Sequence, residues 1–144
     1  MRPVFVPEPV LTFTDPAHVA AMKQAFAAEH ASAGREYGIV IDGQRIQTGT
    51  TFQSTNPNDP SHVLGVFPRA DEAILERAMA TAEKAFASWS RTAPEARARV
   101  LWRAARIMRR RRFEMNACMV LEVGKSWIEA DADTAEAIDF LEFY

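Results

Sequence analysis

A chain of 144 residues, 48% apolar and 25% charged, is long enough for one ordinary domain with a core and too rich in apolar side chains for wholesale disorder. Its formal net charge of −2 excludes a generally basic nucleic-acid binder, and its single cysteine, Cys118, excludes a disulfide framework or a cysteine-based zinc site. No apolar run approaches the ~18–20 residues that span a bilayer, and the start has neither a signal-peptide nor a transit-peptide pattern, so a cytoplasmic protein with no membrane contact is expected.

In chain order, the first fourteen residues carry Pro3, Pro7 and Pro9 and predict an extended arm, because proline lacks the amide donor and pushes its neighbours out of the helical region. Asp15-Pro16 supplies a cap and a proline at the first helical position. Val19, Met22, Ala25 and Phe26 follow at spacings of three and four, predicting a helix to about Ser32, stopped near Gly34. Gly38 to Ile41 is a short β-branched run, Asp42-Gly43 is a two-residue hairpin signal, and the return is Gln44-Arg45-Ile46. Two more strands are expected at Thr50 to Thr55 and Val63 to Phe67, separated by the rigid turn Asn56-Pro57-Asn58-Asp59-Pro60 and closed by Pro68.

Beyond this point helix is predicted. Asp71 caps a segment whose Leu75, Ala78, Ala82, Ala85, Phe86 and Trp89 fall on one stripe. Thr92-Ala93-Pro94-Glu95 and Ser126-Trp127-Ile128-Glu129 both read as capping boxes. Between them one helix is expected from Ala93 to about Val123, ended by Gly124 as the left-handed terminal residue. Such a helix would be roughly 46 Å long, against a diameter under roughly 40 Å for a compact domain of this size. It must therefore kink or project. The chain also stops in mid-pattern, with Phe140, Phe143 and Tyr144 among its last residues, so it is expected to be an N-terminal fragment. Along the chain the expected division is an arm and helix over 1–36, a hairpin and strand section over 37–69, and a helical part over 70–144.

Charge is unevenly placed. Nine arginines lie between Arg91 and Arg112 against Glu95 alone, whereas six carboxylates (Glu129, Asp131, Asp133, Glu136, Asp139, Glu142) lie between Ser126 and Tyr144 with no Lys or Arg. Four successive residues on a helix point around its whole circumference, so Arg109 to Arg112 cannot form one groove-facing stripe. No aromatic ladder accompanies them, and a solvated or interface-facing turn is expected rather than nucleic-acid binding. Cys118 sits near the C-terminal end of its helix, where the dipole opposes a thiolate, and is expected to be a small core residue. His18, His30 and His62 are scattered without paired spacing, so no metal site is expected. The six glycines form neither G-x-G-x-x-G nor a P-loop. Glu129, Asp133 and Glu136 share one helical face, with Asp131 and Asp139 off it. Six carboxylates without a cation require a positive neighbour, either the Arg-rich segment or the ammonium group of a ligand.

Three groups of residues carry a resemblance. Arg35-Glu36-Tyr37-Gly38-Ile39-Val40-Ile41-Asp42-Gly43, then Asn56-Pro57 with Pro60-Ser61 and Val63-Leu64-Gly65, then Ala80, Ala82, Lys84-Ala85-Phe86 and Trp89, together resemble the N-terminal segment of an aldehyde dehydrogenase. Glu122-Val123-Gly124-Lys125 and Ala135-Glu136-Ala137-Ile138-Asp139-Phe140 look like the glutamate-semialdehyde branch, the L-glutamate γ-semialdehyde (Δ1-pyrroline-5-carboxylate) dehydrogenases.

The resemblance implies an α/β aldehyde dehydrogenase fold for the parent enzyme, two doubly wound domains with an oligomerisation hairpin. This segment would be its mostly α-helical part, with a short β-hairpin section. It implies an NAD-dependent enzyme that oxidises a small amino aldehyde through a cysteine thiolate in proline degradation, and that assembles as a homo-oligomer. The family's cysteine lies in a Gly-Gln-x-Cys loop that has no match here, so the segment alone is expected to be inactive. One residue carries over: the glutamate of Ala-Glu-Ala-Ile-Asp, here Glu136, is expected to line the aldehyde pocket near the substrate's amino end. The competing expectations are a stand-alone helical interaction module and an aldehyde dehydrogenase with another substrate.

Overall fold

The computed structural model describes residues 5–144, so the part of the arm that holds Pro3 lies outside the described residues. The elements in order are α1 (Pro16–Ala31), β1 (Arg35–Glu36), β2 (Ile39–Ile41), β3 (Gln44–Ile46), β4 (Thr51–Asn56), β5 (Asp59–Pro68), α2 (Glu72–Trp89), α3 (Pro94–Arg110), α4 (Arg112–Val123) and α5 (Trp127–Phe143). They form two compact units. One comprises residues 1–32 and 94–144, and the other residues 33–93.

The first unit is helical. Asp15 caps α1 by accepting from the Ala17 amide, with Pro16 at the start, and Met22 is the fully buried residue of the predicted stripe. In place of the single long helix, the chain breaks at Arg111 (φ −106°, ψ 20°). There the Arg111 N–H is shared between the Ile107 and Met108 carbonyls, each at 3.0 Å, and the helix restarts as α4. The kink makes two helices of roughly 26 Å and 18 Å from one run, and it turns Arg112 inward. The Thr92 box does not form: α3 begins at Pro94, which makes Ala93 the cap position, and the Thr92 hydroxyl donates back to the Ser88 carbonyl at 3.2 Å. Gly124 ends α4 at φ 76°, a conformation that disfavours any side chain, and Ser126 with Glu129 closes the reciprocal capping box of α5.

The second unit joins a three-stranded sheet, order β1-β5-β4, to the two-stranded hairpin β2-β3. Asp42 (φ 53°) and Gly43 (φ 72°) make the tight hairpin turn, with Ile41 opposite Gln44. β4 and β5 pair antiparallel around Pro57-Asn58, with Asn56 opposite Asp59. The strand that sequence patterning misses is β1, two residues long and parallel to β5 through Arg35–Gly65 and Glu36–Val66. It is too short to show any periodicity. α2 is capped by Asp71 as expected, yet no residue of it is buried. Its stripe stands open, with Phe86 65% exposed.

Tyr37 and Phe67 stack at 4.6 Å and nearly parallel, directly over Gly65. A Cβ there would lie 2.8 Å from Tyr37 Cε2 and 2.9 Å from Phe67 Cε2. Gly65→Ala must therefore splay the stack, and it should lower stability by about 1–3 kcal/mol. Urea unfolding would show a lower midpoint at unchanged slope.

Candidate functional site

α5 carries the acidic block, and its carboxylates divide by direction. Asp131 is fully buried and takes four hydrogen bonds. Its Oδ1 accepts from Arg112 Nε at 2.6 Å and Asn116 Nδ2 at 2.8 Å. Its Oδ2 accepts from Arg112 Nη2 and from the Leu11 amide, both at 2.6 Å. Arg112, 8% exposed, also donates to the Pro9 carbonyl at 2.7 Å and to Glu8 at 3.2 Å. Asn116 in turn accepts from the Thr134 hydroxyl at 2.7 Å. The pair is bidentate and every partner is itself held, the arrangement a buried ion pair needs to offset its desolvation.

The arm is drawn into the same network. Glu8 bonds Arg109 Nε at 2.7 Å, its amide donates to Asp139 at 2.7 Å, and Arg109 reaches Glu142 at 2.5 Å. Glu142 more than any other group, with Glu8 adding to it, pushes the Arg109 guanidinium pKa up and keeps it cationic, although burial opposes the rise. The Arg-rich segment is thus the positive neighbour the acidic block requires. The expected solvated turn holds for Arg110 and Arg111, which are exposed, and fails for Arg112, which is buried against Asp131.

The outward carboxylates behave differently. Glu129 is spent on the Ser126 cap, and Asp133 pairs with Lys125. Glu136 is exposed and makes no hydrogen bond or ion pair among the described residues. Five residues from Asp131, it lies about 140° round the helix, away from the arginines. Cys118 is half-buried, and burial, followed by the Glu122 and Glu29 charges, pushes its thiol pKa up, the opposite of an activated nucleophile. Among the described residues no cluster of His, Cys, Asp or Glu could hold a metal ion, and no helix is long and apolar enough to cross a membrane.

These residues do not by themselves fit a dinucleotide. A pyrophosphate needs a glycine turn and free amides at a helix N-terminus. The helix after β5 instead starts with Asp71 bonded to the Ile74 amide and Glu72 beside it, and α1 and α5 are likewise capped by Asp15 and by Ser126 with Glu129. The open groove between Asp42 and α2 mixes charges, and Arg77 in it is tied to Gln44.

Sequence reasoning singled out Glu136 and missed the pairing of Arg112 and Asn116 with Asp131 and the Thr134 bond that holds Asn116. The available signal was Asn116, a polar residue in the otherwise apolar stretch Met115 to Leu121. For the Asp131 carboxyl, burial would raise the pKa, but the Arg112, Leu11 and Asn116 hydrogen bonds outweigh it and hold the group below its ordinary value. Its stabilising contribution is therefore complete above the unfolded carboxyl value of about 3.9 and is lost as pH falls through the lower folded value. Stability measured by denaturant between pH 7 and pH 2 should fall at the acid end, with a shallower fall in Asp131→Asn. Arg112→Ala, which strands a buried carboxylate, should cost about 3–5 kcal/mol at pH 7.

Comparison with known proteins gives the family and the fold. The sequence profile of the aldehyde dehydrogenase family matches residues 45–144. The chain is 50% identical over 137 residues to the 1-pyrroline-5-carboxylate dehydrogenase of Geobacillus thermodenitrificans, covering 95% of this chain and 27% of that protein. To 1-pyrroline-5-carboxylate dehydrogenase 2 of Bacillus subtilis it is 47% identical with the same coverage. Among solved structures, the 1-pyrroline-5-carboxylate dehydrogenase from Thermus with bound NAD superposes with a TM-score of 0.96 at 42% identity, over all of this chain and 28% of that one. Proline utilization A from Bdellovibrio bacteriovorus gives 0.96 at 38% identity, over all of this chain and 15% of that one. The chain thus spans little more than a quarter of the length of the pyrroline-carboxylate dehydrogenases it resembles. With its profile match over most of its length, the chain belongs to the aldehyde dehydrogenase family.

Proposed function

We propose that this chain is a segment of an NAD-dependent L-glutamate γ-semialdehyde dehydrogenase, and that it contributes one wall of the aldehyde pocket. The supporting observation is Glu136. It is exposed on α5 and unpaired among the described residues, while the other five carboxylates of the helix each have a partner. Held away from the arginines, it is available to a cation that this chain does not supply.

The substrate of that reaction carries an α-ammonium group. Taking an ammonium out of water without a counter-charge is costly, and a hydrogen bond to a charged group contributes about 1.5–3 kcal/mol. Glu136 would accept from the ammonium and hold the amino end, which leaves the aldehyde carbon to the nucleophile. That nucleophile is the cysteine of the Gly-Gln-x-Cys loop that the resemblance implies, a loop without a match in these residues. NAD, the oxidant of the reading, is likewise held outside this chain. The same reading carries a cytoplasmic homo-oligomer.

Three measurements test it. The gene's open reading frame should encode a Gly-Gln-x-Cys loop in the same protein. The purified 144-residue chain should form no NADH from aldehyde and show no saturable NAD binding by calorimetry, and a micromolar site would overturn the assignment of NAD to other parts. In the full-length enzyme, Glu136→Ala should lower kcat/KM for glutamate semialdehyde by about 10–150-fold relative to propanal, which has no ammonium to lose. An unchanged ratio would falsify the pocket role.

A further inference from the structure

The inner face of α5 presents small or slender side chains. Ala130, Thr134, Ala135 and Ile138 are its buried residues besides Asp131. Ridges made of alanine are shallow, so apolar packing alone constrains the roll of the helix weakly. A roll of about 20° would move a side-chain tip some 5–6 Å from the helix axis by about 2 Å. Displacements of that size are enough to spoil a directed hydrogen bond.

The polar contacts resist this roll. Asp131 is gripped bidentately by Arg112 and from the sides by Asn116 and the Leu11 amide. Thr134, one turn on, bonds the same Asn116. Two turns beyond Asp131, Asp139 accepts from the Glu8 amide, and Glu142 holds Arg109. Anchors therefore recur over some three turns of the inner side, and Glu136 projects from the other.

We propose that Asp131 and Arg112, braced by Asn116 and Thr134, are positioning residues that fix the rotation of α5 and so the aim of Glu136. This rests on Glu136 facing the substrate's ammonium group, as proposed above. A buried ion pair contributes little net stability compared with apolar residues of the same size, and its best-attested use is to select one register. Here the register is angular. The pair touches no substrate and acts through the helix that carries Glu136.

The test uses the full-length enzyme. Arg112→Met with Asp131→Leu removes both charges together, so neither is left stranded. The thermal midpoint of this variant should fall, because the Leu11 amide and Asn116 lose their acceptor. The folded variant should keep its kcat/KM for propanal, while KM for glutamate semialdehyde rises about 10-fold or more with a smaller change in kcat. In a Glu136→Ala background the same two substitutions should produce no further rise, because the side chain they aim is gone. Parallel losses for both aldehydes, or a full additional loss in the Glu136→Ala background, would mean a purely structural pair and overturn the proposal. If Glu136→Ala alone leaves the substrate ratio unchanged, the pocket reading falls and the positioning role falls with it. If Glu136→Ala shifts the ratio and the folded double variant does not, only the positioning role falls. Should the double variant not fold, Asp131→Asn, which keeps the size and one acceptor, is judged by the same ratio and the same background.

Discussion

A carboxylate that sees no water must be satisfied on both oxygens, and Asp131 sets this requirement for the helical unit. It is met by one guanidinium, one amide side chain and one backbone amide. The donors come from two places: α4 supplies Arg112 and Asn116, and the arm supplies Leu11. For Arg112 to arrive, the helical run must bend at Arg111. For Leu11 to arrive, the extended arm must pass alongside α5. The kink and the path of the arm are thus two responses to one buried charge. Removing water from the pair raises the cost of every misplaced partner, which is how polar burial makes an arrangement specific without adding much net stability.

Charge bookkeeping over the whole chain hides this. The net value of −2 conceals an arginine block and a carboxylate block that meet in the fold. Facing each other, they leave the inner side of α5 neutralised and its outer side negative. A helix with acids on two faces thereby acquires two functions, anchorage on one and an open carboxylate on the other. The second unit is organised by other means. There the strands are set by turn chemistry at Asp42-Gly43 and Pro57-Asn58 and by the ring stack over Gly65.

Much of the local structure was legible. Asp15-Pro16, Asp42-Gly43, Asp71, Gly124 and Ser126 with Glu129 each act within a few residues of themselves, so their chemistry is readable from neighbours. What was not legible depends on partners far away in the chain. The break at Arg111 has no proline or glycine to announce it. β1 is two residues long, and its conformation depends on β5, some thirty residues later. Thr92 resembled a cap until Pro94 fixed the helix start one position later than the box requires. Glu136 could be singled out because of a resemblance, whereas its isolation from the arginines could be seen only once α5 had a rotation.

The grip of the arm on α5 also imposes an order in time. Glu8 and Asp139 are 131 residues apart, and Leu11 and Asp131 are 120 apart, so neither bond can exist until α5 has been made. At about 5–20 residues per second, a ribosome needs roughly 7–26 s to lay down that span. Throughout that interval the arm is without its partners on α5. Arg112, once made, waits a further 19 residues for its carboxylate. For the helical unit the arm is, in assembly, the latch that closes it.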